Sequence, residues 1–491
     1  MNVCDFLPNN AANRPNAVAM EDGERAISYR ELDELVRRTA VHLRSLNVGI
    51  GTHVGLCLKD TADHFVVMLA VWRLGAVSVT LDWRAPIREN DRFGSMFDVE
   101  IVVTEPNIDA ASDTRSVAMD NAWHQAVTAL EPRDDFPHDG SLPMMIATTS
   151  GTTGEVKGIP VTHDQAFARF VSSWLAFGWL QGDRYLSSFS MHYIVGRAYP
   201  LFHMIAGNTV ILFPTLFSAW EYVESINRTG ATVGCVVPTV LRWILDLPAS
   251  HKPLLPGVRM LAVAGALSHE EEKRTACERI TPAIADVYGN TGIGDIALMK
   301  PEELAAKAHT VGQPTPMVEV QIVDAEDRPL GAGESGILRC RGPGMSTGFY
   351  GTQVGQDDAE TFRDGWFYPG DLARLDEDGY LSITGRASDL IIRGGVNISS
   401  GEIEAVLLSH PAVVEAAVVG WPSPEYGEEL AAFVVVKVAV STKTIGLHCR
   451  DRLASYKIPR EIFFRDALPK GRSGKIRKVE LAHELPPLSR T

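Results

Sequence analysis

The stretch Thr148-Thr149-Ser150-Gly151-Thr152-Thr153-Gly154-Glu155-Val156-Lys157-Gly158 follows directly on the apolar run Met144-Met145-Ile146-Ala147. A short apolar run bounded by turn residues reads as a buried strand, so the stretch is a loop leaving that strand. Its glycines let backbone N–H groups come close to a ligand. Its hydroxyls and the Lys157 ammonium donate hydrogen bonds and accept few, which is what a triphosphate needs. The pattern GxxxxGK[ST] of the common phosphate loop does not occur, and Ser/Thr/Gly clusters also serve as plain turns.

Outward from this loop, strand and helix patterns alternate. Before it, Ser28 and Glu31 have the spacing of a capping box for a helix that runs through Leu32, Leu35, Val36, Thr39 and Leu43. Strands at 54–58 and 76–81 bracket a helix over about 63–74, a βαβ unit that implies parallel pairing. A further strand lies at 101–104, and residues 105–140 carry weak signals, as a variable connection would. After the loop, a helix over 167–179 leads to a strand at 185–190. Strands at 207–212, 232–237 and 260–264 follow, the last running into Gly265-Ala266-Leu267. Glycine at strand ends within such alternation predicts a doubly wound α/β region with ligands at the carboxyl ends of the strands. From about 311 the texture becomes antiparallel β, with strands at 318–324 and 336–342 and Gly/Asp turns. From 386 a small α+β module begins, with a helix from Ser400 and paired strands at 413–419 and 430–440. The expected division is a large region 1–385 and a small one 386–491.

The bulk properties narrow the classes of function. The 491 residues are 45% apolar and 22% charged, ordinary for a globular protein of two or more domains. A formal net charge of −15 speaks against a nucleic-acid footprint, which would be basic. The six cysteines are scattered without CxxC spacing, as reduced thiols of a cytoplasmic protein would be. No secretory signal stands at Met1-Asn2-Val3-Cys4-Asp5, and no stretch is apolar for long enough to span a membrane.

The phosphate stretch resembles the signature of the adenylate-forming superfamily, which includes acyl-CoA synthetases, peptide-synthetase adenylation domains and luciferases. Val156 stands where that family usually has proline. The resemblance extends along nearly the whole chain. Tyr288-Gly289-Asn290-Thr291 resembles the family's Tyr-Gly-x-Thr element, Gly265-Ala266-Leu267 its adenine-edge loop, and Gly365-Trp366-Phe367-Tyr368-Pro369-Gly370-Asp371 its ribose element. It implies an ATP/AMP site of Thr148, Thr149, Ser150, Gly151, Thr152, Thr153, Gly154, Lys157, Gly265, Ala266, Leu267, Tyr288, Gly289, Thr291, Asp371, Ile383, Arg386 and Lys475. Lys475, in Leu468-Pro469-Lys470-Gly471-Arg472-Ser473-Gly474-Lys475-Ile476, matches the family's catalytic lysine; the same charges also suit a solvated basic tail. His192 matches a position near the acyl carboxylate and equally suits a structural histidine. Tyr193, Ala264, Gly289, Gly294 and Asp295 match further acyl-pocket positions. Ser388 stands at the hinge, and Gly394 and Gly395 would line the pantetheine tunnel.

Two departures stand out. Gly292 replaces the family glutamate tied to Mg²⁺, which leaves the metal ligands unknown and predicts a raised Mg²⁺ requirement. Asp295 is a carboxylate at a position usually less polar; buried alone it would be costly, so a cation, a metal or water should meet it, and if it reaches the pocket it favours an amino-bearing acid. The resemblance implies an ATP-dependent acid–CoA ligase that uses a carboxylic acid, MgATP and coenzyme A. Two alternatives stand beside it: a free-standing adenylation enzyme loading a carrier protein, and a nucleotide-binding module without turnover. A homodimer is equally open.

Overall fold

The structure, a computed structural model of the full chain, describes residues 1–112, 114–150, 156–248, 250–266, 268–351, 356–393, 396–470 and 476–488. The chain divides into two compact units. One comprises Met1–Ala308, Gly312–Glu319 and Cys340–Phe367; the other comprises His309–Val311, Val320–Arg339 and Tyr368–Thr491.

The first unit holds two sheets. In one, the strands run in the order Arg115–Ala118, Ile101–Thr104, His53–Cys57, Val77–Thr80, Pro143–Ser150, Val156–Thr162. All pair in parallel except the last, which returns antiparallel along the edge. The runs Val77–Thr80 and Ile101–Thr104 are buried at every residue, as strands covered on both faces must be. The helix Ala62–Arg73 between the first βαβ strands is buried along its length. The Ser28–Glu31 capping box forms, with the Glu31 carboxylate accepting from Ser28 N at 2.8 Å, and it starts the helix Tyr29–Ser45. Within the weakly patterned 105–140 lie the strand Arg115–Ala118 and the helix Asn121–Ala129.

The second sheet runs Gln313–Pro314, Gly294–Met299, Ile284–Asn290, Met260–Ala264, Val233–Val236, Arg184–Ser187, Thr209–Leu212, Val18–Asp22, Arg25–Ser28. Its centre is parallel and both margins are antiparallel. The expected doubly wound region is therefore two sheets sharing one unit. Its largest core cluster joins residues of both sheets, including Val54, Met144, Tyr185 and Val233.

In the second unit, Gly336 and Ile337 pair antiparallel with the strand Asp371–Leu375, which pairs with Leu381–Arg386. A smaller sheet is built from Val396–Ser399, Leu390–Arg393, Gly427–Val436 and Val413–Ser423, with Glu461–Phe464 parallel to Gly427–Val436. Its helices are Ser400–Leu408, Thr442–Arg450 and Lys478–His483. Residues 320–339 and 368–385 thus pack with the C-terminal residues. All six cysteines are free. Among the described residues no helix is long and apolar enough to cross a membrane.

Candidate functional site

The two ends of the phosphate stretch lie on paired antiparallel strands. Thr148 faces Gly158, Thr149 faces Lys157 and Ser150 faces Val156. Gly151, Thr152, Thr153 and Gly154 lie outside the described residues. The Lys157 ammonium stands 4.9 Å from the centre of the Phe349 ring, and Tyr350 N donates to Gly158 O at 2.8 Å. The segment carrying those aromatics also reaches the turn after Tyr288, where Ser346 N donates to Gly292 O at 2.8 Å. One connected segment, 344–350, therefore fastens the phosphate hairpin of one sheet to the Tyr288–Thr291 corner of the other.

The second sheet gathers the remaining candidates of this unit at the carboxyl ends of neighbouring parallel strands. Arg184–Ser187 leads to His192 and Tyr193. Met260–Ala264 leads to Gly265 and Ala266, with Leu267 outside the described residues. Ile284–Asn290 carries Tyr288 and Gly289 and leads to Thr291. This is where open α/β sheets bind ligands. Gly265 has φ +93°, a left-handed conformation that suits glycine at the turn out of the strand. The loop carrying His192 is held by Asp60, whose Oδ1 accepts from Met191 N at 2.6 Å and from Ser190 Oγ at 3.1 Å. Burial lowers the His192 pKa, partly offset by the nearby Asp82 carboxylate, so the imidazole is neutral at pH 7. Its Nδ1 is buried without a hydrogen-bond partner among the described residues.

Asp295 finds partners inside the protein. Ser173 Oγ donates to its Oδ2 at 2.7 Å, and Tyr199 OH donates to its Oδ1 at 3.0 Å. Burial still raises its pKa, opposed by these two bonds and by the Arg169 charge. Arg169 itself donates to Gly344 O at 2.8 Å and Ser346 Oγ at 3.2 Å. The costly buried carboxylate therefore has two hydroxyl donors and a guanidinium within electrostatic reach. Gly294, beside it, lies 3.1 Å by its would-be Cβ from the Arg169 side chain.

The glycine at 292 has a steric cause. A Cβ there would stand 2.5 Å from Phe367 Cε2 and 2.6 Å from Cζ. Asn290 Oδ1 accepts from Gly292 N at 3.0 Å and closes the turn. A glutamate does not fit while Phe367 holds its place. Among the described residues no group of three or more His, Cys, Asp or Glu side chains is placed to hold a metal. In nucleotide sites Mg²⁺ is usually carried on phosphate oxygens and water with few protein carboxylates.

In the second unit, Asp371 is buried and its Oδ1 pairs with Arg386 Nε at 2.7 Å. Their strands are adjacent, with Asp371 opposite Arg386 in register. Ile383 lies on the same strand as Arg386, half-buried. A short 3₁₀ turn, Ala387–Asp389, follows and includes Ser388. Gly394, Gly395 and Lys475 also lie outside the described residues. On either side of the stretch 471–475, Lys470 and Ile476 form a β-bridge, and Arg477 N donates to Pro469 O at 2.8 Å. Lys478 then ties this segment down through Asp389 Oδ2 at 2.8 Å, Glu404 Oε1 at 2.7 Å and Ser400 Oγ at 2.8 Å. Burial would lower the Lys478 pKa, but the Glu404 and Asp389 carboxylates hold it above its ordinary value.

Sequence reasoning missed the segment 344–350, Asp60, the Ser173–Tyr199 pair and Lys478. The Gly342-Pro343-Gly344 turn was a signal for the first; the others are single polar residues whose partners are remote in sequence.

Residues 7–350 match the model of the AMP-binding enzyme family, and residues 402–475 match that of the AMP-binding enzyme C-terminal domain. The chain is 30% identical to a 2-succinylbenzoate–CoA ligase of Bacillus licheniformis, over 97% of this chain and 99% of that one. Among solved structures it is similar to the o-succinylbenzoate CoA synthetase of Bacillus subtilis bound to its acyl-adenylate intermediate. The TM-score is 0.86, with 26% identity over 97% of each chain. The same enzyme with ATP and magnesium aligns with a TM-score of 0.85 and 27% identity, over 96% of this chain and 98% of that one.

Proposed function

The chain belongs to the AMP-binding enzyme family, and from that membership we propose that it is an ATP-dependent acid–CoA ligase. A carboxylate oxygen of the acid attacks the α-phosphorus of ATP; an acyl-adenylate forms and pyrophosphate leaves. The thiol of coenzyme A then attacks the acyl carbon; the thioester forms, the thiol proton is released and AMP leaves. The end-to-end match to a CoA ligase carries this reading. When bound, Mg²⁺ neutralises charge on the phosphate oxygens.

Each residue has a proposed part. The hairpin 148–158 takes the phosphates, with Lys157 as a fixed cation beside it. Tyr288, Gly289, Gly265, Ala266 and Leu267 frame the adenine, and Thr291 meets the α-phosphate. Asp371, supported by Ile383 on the neighbouring strand, accepts the ribose hydroxyls while Arg386 fixes its carboxylate. Lys475 stabilises charge developing on the α-phosphoryl oxygens during adenylation. His192, Tyr193, Ala264, Gly294 and Asp295 surround the acyl group. Residues 386–491 form the small domain, which turns about Ser388 between the two steps and brings Gly394 and Gly395 to the pantetheine arm. The buried Lys478 cluster keeps the Lys475 segment attached to the residues just after the hinge.

The test is pyrophosphate release across a panel of acids, with and without coenzyme A, and thioester detected by mass. Acid-dependent release with thioester only when coenzyme A is present supports the ligase. Release without any thioester would favour a carrier-protein acceptor.

A further inference from the structure

Lys157 supplies the ammonium of the stretch 148–158, and an aromatic ring meets it. The residue lies half-buried on the edge strand Val156–Thr162, opposite Thr149. Its Nζ stands over the Phe349 ring, 4.9 Å from the centre. A cation and an aromatic face attract each other within about 6 Å. A lysine side chain is a compact charge on a flexible stem, and its rotamer freedom is among the largest of any side chain. Left to solvent, it would offer a bound phosphate a charge that must first be ordered. Over the ring the ammonium has a fixed place.

Phe349 is itself held, by its backbone and by its ring. Its N donates to Asp358 Oδ1 at 3.2 Å. The next residue, Tyr350, donates from N to Gly158 O at 2.8 Å. The Tyr350 hydroxyl donates to Asp98 Oδ2 at 2.8 Å, and its ring meets those of His53 and Phe97. The backbone at 349–350 is therefore tied to the residue that follows Lys157. The Phe349 ring meets Phe362 in a T-shaped contact, 5.4 Å between centres and 78° between planes, a favoured aromatic geometry. Phe362 in turn packs at 5.1 Å on Phe367, the buried ring that leaves no room for a Cβ at Gly292. Three rings thus run from the Lys157 ammonium to the turn after Tyr288, all within the first unit.

We infer that Phe349 is a positioning residue for ATP: its ring orders the Lys157 ammonium in advance of the phosphates, and Phe362 and Phe367 hold that ring in place. This rests on the reading of 148–158 as the phosphate site. The chemistry of the ring matters here. A carboxylate in the same place would order the ammonium and also cancel its charge. A neutral π face orders it and leaves the charge whole. The ammonium has three N–H donors, so phosphate oxygens accept from it while the ring stays where it is. An aliphatic side chain of similar bulk fills the space and supplies no such attraction. Ground state and transition state profit alike, so the effect should appear in KM for ATP and leave kcat nearly unaltered.

The experiment measures pyrophosphate release by wild type, Phe349→Leu, Phe349→Tyr, Lys157→Met and the variant carrying both Phe349→Leu and Lys157→Met, with MgATP and acid varied in turn. Lys157→Met should raise KM for MgATP by about tenfold to a hundredfold, the scale of one hydrogen bond to a charged group. Phe349→Leu should raise it about three- to thirtyfold, the scale of one cation–π contact, with KM for the acid unchanged. Phe349→Tyr keeps the ring and should stay within about twofold of wild type. In the Lys157→Met background, Phe349→Leu should add less than about twofold, because the two residues act as one unit. An equal rise in both backgrounds would overturn the inference and leave the phosphate reading standing, with Phe349 acting by packing alone. A KM that falls or stays the same in Phe349→Leu would also overturn it. An unchanged KM in Lys157→Met would overturn the phosphate role of that cation, and the inference with it. If no acid releases pyrophosphate, the ligase reading fails. Calorimetric titration of MgATP into the same proteins then decides the inference separately: a Kd raised by Phe349→Leu only where Lys157 is present supports it, and any other pattern overturns it.

Discussion

Gly292 is where the sequence departs from its family and where the structure supplies a magnitude. An added Cβ would lie 2.5 Å from Phe367 Cε2, against about 3.5–4.0 Å for ordinary carbon contact. The ring must move by about 1 Å, yet Phe367 is 2% exposed and packs against Phe362 at 5.1 Å between ring centres. Overpacking of this kind costs about 1–3 kcal/mol. Restricting the unfolded chain by replacing glycine returns up to about 1 kcal/mol. Gly292→Ala should therefore destabilise the first unit by about 1–2 kcal/mol, read as a lower urea midpoint at unchanged slope. In a Phe367→Leu background the same change should cost less than about 0.5 kcal/mol, because contacting residues are non-additive. Equal costs in the two backgrounds would refute the steric account. The Mg²⁺ expectation follows from the same double substitution. Gly292→Glu with Phe367→Leu should lower the Mg²⁺ needed for half-maximal pyrophosphate release, and an unchanged midpoint would show that the ion has no use for a carboxylate there.

Lys475→Ala should reduce pyrophosphate release by about a hundredfold or more, the scale of losing one electrostatic stabiliser, while a supplied acyl-adenylate still reacts with coenzyme A; equal losses in both steps would refute its assigned part. Ser388→Pro fixes φ near −65° and removes a donor, so it should block one step more than the other; small equal losses would place the pivot elsewhere. Burial holds His64 and His163 to about 4 and His203 to about 3, against about 6.5 when unfolded. Below 6.5 the unfolded chain binds protons that the folded chain does not, so this contribution is complete above 6.5 and is lost as pH falls towards 4. Each histidine contributes a slope of up to about 1.4 kcal/mol per pH unit. Urea midpoints at pH 7.5 and 5.5 should differ accordingly, His203→Leu should flatten the slope, and a slope unaltered in His203→Leu would contradict the neutral buried imidazole.

The local signals in the sequence were strong where a pattern sits within one element. Ser28 and Glu31 announced their helix, and the apolar run 144–147 its strand. The return strand Val156–Thr162 was not legible, because Gly158 and Pro160 read as turn residues. Pro160 is tolerated there because the strand lies at the sheet edge. The helix Ile194–Ile205 was missed for a similar reason: Pro200 interrupts its pattern, and the helix is apolar on most of its surface. Pairing of Val18–Asp22 with Thr209–Leu212 joins segments far apart in the chain, which no local pattern encodes. Asp295 was recognisable as a charge in need of partners; that these are Ser173 and Tyr199 depends on two helices meeting in space. Arg197 carried no motif at all, and only its burial, with Nε unpartnered among the described residues, makes it conspicuous.

The central claim is that the acid is activated by attack of its carboxylate on the α-phosphorus. The direct measurement uses an acid labelled with ¹⁸O in its carboxylate and follows the label by mass through one complete turnover with ATP and coenzyme A. The account predicts one ¹⁸O in the AMP released and one retained in the thioester carbonyl. Label in inorganic phosphate or pyrophosphate, or AMP without label, would contradict it.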